Sequence, residues 1–164
     1  GRSAFALIKK YPNLIVARTF SKAYGLAGAR VGYMLAAADV TRMIGKTFMP
    51  YHMNTLSLAA ADIVYQMRDE FVPRIQMTVA ERRRLSEQLK KLAGVEVFPS
   101  ETNFVLIRLE RAAALTEYLE SLGIGVRFFS PTAPGLKNCL RISVGTRMEN
   151  DEVFAAIKNF VEGR

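Results

Sequence analysis

The sequence predicts an α/β fold in two parts joined by a long helix. Three observations carry this. Short apolar runs of strand length alternate with stretches of helical period. Glycine and proline mark the boundaries between them. One sustained helical pattern, residues 69–92, separates a first part from a second of different texture. The 164 residues suffice for one ordinary domain or two small ones, and at 50% hydrophobic residues a sizeable core is within reach.

In chain order, Ser3 to Lys10 reads as a helix, ended by Pro12 and Asn13. Leu14 to Ala17 reads as a buried strand, and Ala29 to Leu35 as a second. Between them, Thr19 to Gly28 is rich in small, polar and glycine residues, as a functional loop is. An Ala-rich turn leads through Asp39 to a helix that ends near Lys46, and the pattern breaks at 50–54. Thr55 to Met67 is helical. Asp69 to Leu92 follows, with Pro73 tolerated in its first turn and Ile75, Val79, Leu85, Leu89 and Leu92 on its apolar side. Gly94 stops it. Strands follow at Val95 to Phe98 and Asn103 to Leu109, then a helix at Arg111 to Leu122 stopped by Gly123. A short strand at Val126 to Phe129, a loop at Ser130 to Gly135, a strand at Cys139 to Val144 and a helix at Glu149 to Val161 complete the chain. The expected division is 1–54, 55–93 for the connecting helices, and 94–164. Two strands and two helices do not cover both faces of a parallel sheet, so the first part reads as a remnant of a larger domain.

Composition narrows the function classes. No apolar run reaches the length of a membrane span, and no signal-peptide pattern opens the chain. One cysteine, Cys139, forms no disulfide framework and suits a reducing compartment, so the expectation is a cytoplasmic protein without membrane partners. A single histidine, His52, offers no zinc cluster. The net charge is +8. It fits a nucleic-acid surface, a protein that handles phosphates and carboxylates, or part of a longer chain with a compensating acidic region. No zinc-finger or aromatic RNA-binding signature accompanies it, so nucleic acid is not the expected partner. Arg82, Arg83 and Arg84 read as a solvated helix face.

The informative stretch is Thr19-Phe20-Ser21-Lys22-Ala23-Tyr24-Gly25-Leu26-Ala27-Gly28-Ala29-Arg30-Val31-Gly32-Tyr33. A lysine desolvated between strands favours its neutral amine, the nucleophile that forms an imine with an aldehyde. Ser21 and Thr19 can donate to a phosphate, and the planar fork of Arg30 suits a phosphate bidentately. Gly25 and Gly28 allow close backbone approach. Together these suit an aldehyde-bearing phosphate, a description that pyridoxal 5'-phosphate (PLP) meets. Tyr24 reads as packing.

From Thr19 to Gly28 this string resembles the PLP-attachment signature of class II aminotransferases, and it runs on into the Arg-x-Gly-Tyr of fold-type I enzymes. The resemblance covers nearly the whole chain and is closest to the histidinol-phosphate aminotransferases. It is also carried by Pro50-Tyr51-His52-Met53-Asn54, by Ser100-Glu101-Thr102-Asn103-Phe104-Val105-Leu106, and by Cys139-Leu140-Arg141-Ile142-Ser143-Val144-Gly145-Thr146. It implies the end of the fold-type I large domain followed by the C-terminal small α/β domain. It implies that Lys22 holds PLP as a Schiff base and moves a proton between the substrate and the cofactor, and that Ser21 and Arg30 bind the cofactor phosphate. Thr19 keeps two readings, phosphate ligand or loop stabiliser. Arg141 is implied to bind the α-carboxylate of the amino-acid substrate, and a guanidinium fork suits that planar group. Arg127, in Gly125-Val126-Arg127, is implied to contact the phosphate of histidinol phosphate, with a structural arginine as the other reading. His52 reads as a loop or interface residue, Cys139 as a small buried one, and Tyr33 and Tyr51 as packing, Tyr51 with a place near the pocket as its other reading.

The implied reaction is amino transfer between L-histidinol phosphate and 2-oxoglutarate, in histidine biosynthesis, by a homodimer acting on small-molecule substrates. Related readings are an aromatic amino acid aminotransferase and a PLP-dependent phosphoamino-acid decarboxylase. A reading from another class is a non-catalytic module that binds anions. The family's aspartate at the PLP ring nitrogen, its asparagine and tyrosine at the ring oxygen, its stacking aromatic and its phosphate-binding glycine helix are all expected upstream of Gly1. The 164 residues alone are therefore expected to be inactive.

Overall fold

A computed structural model describes residues 3–129 and 132–163, so the first two positions of the expected 130–135 loop lie outside the described residues. The chain divides into two compact units, Gly1–Pro73 and Arg74–Arg164.

In the first unit the opening helix is a 3₁₀ segment, Ala4–Lys9, begun by the Ser3 hydroxyl, which accepts the Phe5 N–H. The two strands are β1, Val16–Thr19, and β2, Gly32–Leu35. They pair antiparallel, from Val16 opposite Leu35 to Thr19 opposite Gly32, where a parallel sheet was expected. Nor are they buried as expected: of their eight residues only Val16 is. The reason is topological. Among the described residues each strand has the other as its only neighbour, so their side chains gain little cover. Gly32 is required by this pairing, because a Cβ there would stand 2.6 Å from the Arg18 carbonyl oxygen. Helix α1, Ala38–Gly45, and helix α2, Thr55–Gln66, follow. Asn54 caps α2 by accepting the Leu56 and Ser57 N–H groups. A small core gathers Phe20, Val31 and Ala61, with Tyr24, Leu26, Ala29, Met53 and Val64 against it.

The expected long helix is two elements. A 3₁₀ turn, Arg68–Phe71, precedes helix α3, Val72–Leu89, with Pro73 in its first turn. The second unit is a two-layer α/β arrangement. Its sheet comprises β3 (Glu96–Val97), β4 (Phe104–Arg108), β5 (Arg127–Phe128) and β6 (Cys139–Ser143), in spatial order β3-β4-β6-β5 and antiparallel throughout. Helix α4, Ala112–Ser121, and helix α5, Arg147–Glu162, pack with α3 on one face. That face buries Val105, Ile107, Leu140 and Ile142 against Leu85, Leu89, Leu115, Leu119 and Ile157. The alternation along β4 and β6 sends Phe104, Leu106, Arg108, Arg141 and Ser143 to the opposite face. Helix α5 starts two residues before the expected Glu149, because Thr146 and Glu149 form a capping box.

The arginine trio departs from expectation. Arg83 is exposed, but Arg82 is only 5% exposed and Arg84 is half-buried. Both are drawn inward by acceptors that lie far away in sequence, Thr102 for Arg82 and Asp151 for Arg84.

Candidate functional site

The candidate residues form two groups, one in each unit. The first is the lysine loop, residues 20–31, which connects β1 to β2. It closes on itself: the Phe20 N–H donates to the Val31 carbonyl at 3.1 Å and the Leu26 N–H to the Phe20 carbonyl at 3.1 Å. The apolar residues Phe20, Leu26, Ala29 and Val31 turn inward onto α2, and Tyr24 stacks edge-on against Phe71 at 5.3 Å, so Tyr24 is packing, as expected. The polar residues are left outward. Lys22 and Arg30 are exposed and Ser21 is half-buried. Lys22 is thus not desolvated by this chain's own strands, against the expectation from its flanking sequence, because those strands offer it no second layer.

Thr19 and Ser21 form a local unit. The Ser21 N–H donates to Thr19 Oγ1 at 3.0 Å, and that hydroxyl donates to Ser21 Oγ at 2.8 Å. Thr19 therefore stabilises the loop, and it orients the Ser21 hydroxyl so that its own proton remains free to donate. Arg30 lies next to Val31, the residue whose carbonyl anchors Phe20, so loop closure returns it toward Ser21 in the chain path. Its backbone is left-handed at φ 56°, and its guanidinium donates to the Ala27 carbonyl at 2.9 Å. A left-handed arginine is uncommon, and such positions concentrate where a ligand is held. An exposed amine, an oriented hydroxyl and a guanidinium stand on one closed loop, the group types that the aldehyde and phosphate of PLP would call for. A cleft of about 650 Å³ borders the loop, but Ser21, Lys22 and Arg30 do not line it.

The second group lies on the open face of the second unit's sheet. Arg127 of β5 and Arg141 of β6 are direct cross-strand partners, and both are exposed. On the other side of β6, the Arg141 guanidinium stands over the Phe104 ring of β4 at 5.4 Å from its centroid. No carboxylate within salt-bridge distance neutralises either arginine among the described residues. Like charges directly opposite in a sheet repel, and a bound anion would relieve that repulsion.

Of the remaining sequence candidates, His52 is an exposed loop residue, with its ring stacked on Phe48 at 4.7 Å and Nδ1 facing the Met49 carbonyl. Tyr51 is 100% exposed at φ 60°, so it is not packing. Tyr33 is 45% exposed and touches Phe20. Cys139 is fully buried, as expected. Two functional-looking groups escaped the sequence reading, the buried Glu81 and Asn150. Neither carries a sequence signal, since each stands amid ordinary helix-surface residues. No set of three or more His, Cys, Asp or Glu side chains is placed to hold a metal among the described residues.

Known proteins resemble this chain over nearly its whole length. The histidinol-phosphate aminotransferase of Ruminiclostridium cellulolyticum is 40% identical over 156 residues, which are 93% of this chain and 43% of that protein. Among solved structures, the histidinol-phosphate aminotransferase of Sinorhizobium meliloti in complex with pyridoxal-5'-phosphate superposes with a TM-score of 0.76 at 34% identity, over 93% of this chain and 42% of that one. The L-threonine-O-3-phosphate decarboxylase of Porphyromonas gingivalis superposes with a TM-score of 0.82 at 32% identity, over 96% and 49%. The chain thus spans less than half the length of these relatives. Its α/β architecture is that of the PLP fold-type I enzymes. The family described as aminotransferase class I and II matches residues 2–157, and the chain belongs to that family.

Proposed function

We propose that the chain is part of a PLP-dependent enzyme that transfers an amino group between L-histidinol phosphate and 2-oxoglutarate, in the biosynthesis of histidine. The observation that carries this reading is the Arg127–Arg141 pair, two cations opposed on an open sheet face. A substrate bearing both a carboxylate and a phosphate, or two carboxylates, satisfies both guanidinium groups at once. In this reading Arg141 takes the α-carboxylate, and Arg127 takes the phosphate of one substrate or the second carboxylate of the other. Names of relatives at about 40% identity support it.

Lys22, Ser21 and Arg30 are the proposed cofactor ligands, with Thr19 orienting Ser21. PLP, when bound, draws electron density from the substrate's α-carbon and so acidifies the proton there. Lys22 would hold the cofactor through its amine, and that amine would serve as the acid and base that moves the substrate's Cα proton. Arg141 would bind the substrate carboxylate through its planar guanidinium fork. Water exclusion around Lys22 falls to parts of the full-length protein beyond the two strands here, and we propose that the 164 residues alone do not turn over substrate. The full-length protein is proposed to act as a cytoplasmic homodimer.

A second reading, decarboxylation of a phosphorylated amino acid, is favoured by the superposition on the Porphyromonas gingivalis enzyme. Single-turnover spectroscopy on the full-length protein separates the two. Histidinol phosphate should convert the bound cofactor to its amine form, and 2-oxoglutarate should restore it. Borohydride should trap the visible chromophore on Lys22, and Lys22→Ala should lose it. A chromophore that persists in Lys22→Ala would overturn the cofactor assignment. Conversion by phenylalanine but not by histidinol phosphate would select the aromatic aminotransferase, and carbon dioxide release from O-phosphothreonine would select the decarboxylase.

A further inference from the structure

Three polar or charged residues are buried among the described residues: Glu81, Arg82 and Asn150. None belongs to the proposed site, yet all three act on the strand ends that present it. Asn150, 1% exposed, treats Gly145 as a strand partner would: its Oδ1 accepts the Gly145 N–H at 3.0 Å and its Nδ2 donates to the Gly145 carbonyl at 3.1 Å. Gly145 lies just past β6, where the ladder ends and its backbone groups have no strand neighbour. The second Nδ2 proton goes to Glu81 Oε2 at 3.0 Å. An ionised carboxylate only accepts hydrogen bonds. Glu81 therefore forces the amide nitrogen of Asn150 toward itself, and so forces the amide oxygen toward the Gly145 N–H. Arg84 grips both Glu81 oxygens, at 2.7 to 3.1 Å, and this contact holds the Glu81 carboxyl below its ordinary range and keeps it charged.

The adjacent residue on α3 serves the neighbouring strand. Arg82 Nη1 donates to the Thr102 carbonyl at 2.9 Å, in the loop that enters β4. The two gripped segments are joined to each other, since the Val144 N–H donates to the Asn103 carbonyl at 2.9 Å. One turn of α3 thus clamps the start of β4 at Phe104 and the end of β6 at Ser143, which is opposite Phe104 and two residues past Arg141. Those two side chains meet on the open face, as cation and ring.

We propose that Glu81 is a positioning residue for Arg141: through Asn150 it sets the Gly145 turn, and with it the seat of the Arg141 guanidinium on Phe104. Its relevance to turnover rests on the reading of Arg141 as the carboxylate ligand, but its geometry does not. A role confined to stability would lower the unfolding midpoint of variants and leave the native position of Arg141 untouched.

Nuclear magnetic resonance of the 164-residue chain distinguishes these. The Arg141 Nε–H proton is displaced by the Phe104 ring current, and Phe104→Leu supplies the undisplaced reference. Asn150→Ala should lose most of the displacement. Glu81→Gln, which keeps the shape but permits both amide orientations, should lose part of it. The exchange variant Glu81→Gln with Asn150→Asp restores one donor facing one acceptor and should recover displacement relative to Asn150→Asp alone. If Asn150→Ala does not fold, Glu81→Gln and the exchange pair carry the test. Variants that unfold more readily while the Arg141 proton keeps its wild-type position would overturn the proposal. Titration with glutarate then separates the two readings. A displacement lost in the variants, with no glutarate response at Arg141 in the wild type, retains the positioning role and removes the ligand role.

Discussion

Arg30 shows how a single residue can be read against its own conformational preference. Its left-handed backbone costs about 1–2 kcal/mol for a residue with a Cβ. Glycine would remove that strain, offset by about 1 kcal/mol of extra chain entropy lost on folding. Arg30→Gly should therefore leave the stability of the first unit nearly unchanged, while PLP affinity of the full-length protein falls at least tenfold, about 1.4 kcal/mol. Urea unfolding and equilibrium dialysis measure the two. A large loss of stability with unchanged PLP affinity would make Arg30 a loop anchor through its bond to Ala27 and nothing more. The sequence identified Arg30 as a phosphate candidate by side-chain type and by resemblance. Its backbone strain had no sequence mark, since left-handed conformations are announced by glycine or asparagine and not by arginine.

At the scale of elements, local chemistry was legible wherever it acts within a turn or two. The stop at Gly123 is realised as a left-handed glycine at φ 76° directly after the cap of α4, whereas α3 ends at Leu89, short of the expected Leu92, and Gly94 at φ 74° belongs to the Leu92–Val95 turn beyond it. Pro73 sits in a first helical turn, as its missing N–H requires. Helix α5 starts two residues before the expected Glu149 because the Thr146–Glu149 box sets its first turn. Removal of that box by Thr146→Ala should cost the second unit about 1 kcal/mol. Denaturant titration followed by circular dichroism should show a lower midpoint with an unchanged slope. A changed slope would mean that the helix start sets compactness as well as stability. The strands of the first unit were misjudged for a different reason. Apolar runs announce strands, but whether a strand is buried depends on what lies beside it.

For the molecule as a whole, the two units carry different halves of the proposed chemistry, and acid should affect the second in a defined direction. Glu81 and Glu149 both have carboxyls held below their ordinary range, Glu81 chiefly by Arg84 and Glu149 by the Thr146 N–H and hydroxyl. A lowered folded-state value means that the unfolded chain binds protons more readily. The contribution is complete above the ordinary carboxylate range, about pH 4 to 5, and is lost as pH falls through the lowered values. The urea midpoint of the second unit should drop on acidification, and Glu81→Gln should flatten that dependence while lowering the midpoint at neutral pH. An equally steep profile in Glu81→Gln would place the acid sensitivity in Glu149 and the exposed acids.

The α/β class, most helices and strands to within a few residues, and the family were legible in the sequence, because these depend on period, turn chemistry and a contiguous motif around Lys22. The sequence also singled out Arg127 and Arg141, though only as separate residues 14 positions apart. Only the tertiary structure set them opposite each other on one sheet face, exposed Lys22, and turned Arg82 and Glu81 from a helix surface into a buried clamp. The physical reason is common to all of these. Pairing register, solvent exposure and buried charge are properties of what a residue meets across space, and no local pattern encodes a partner that lies 20 or 69 residues away.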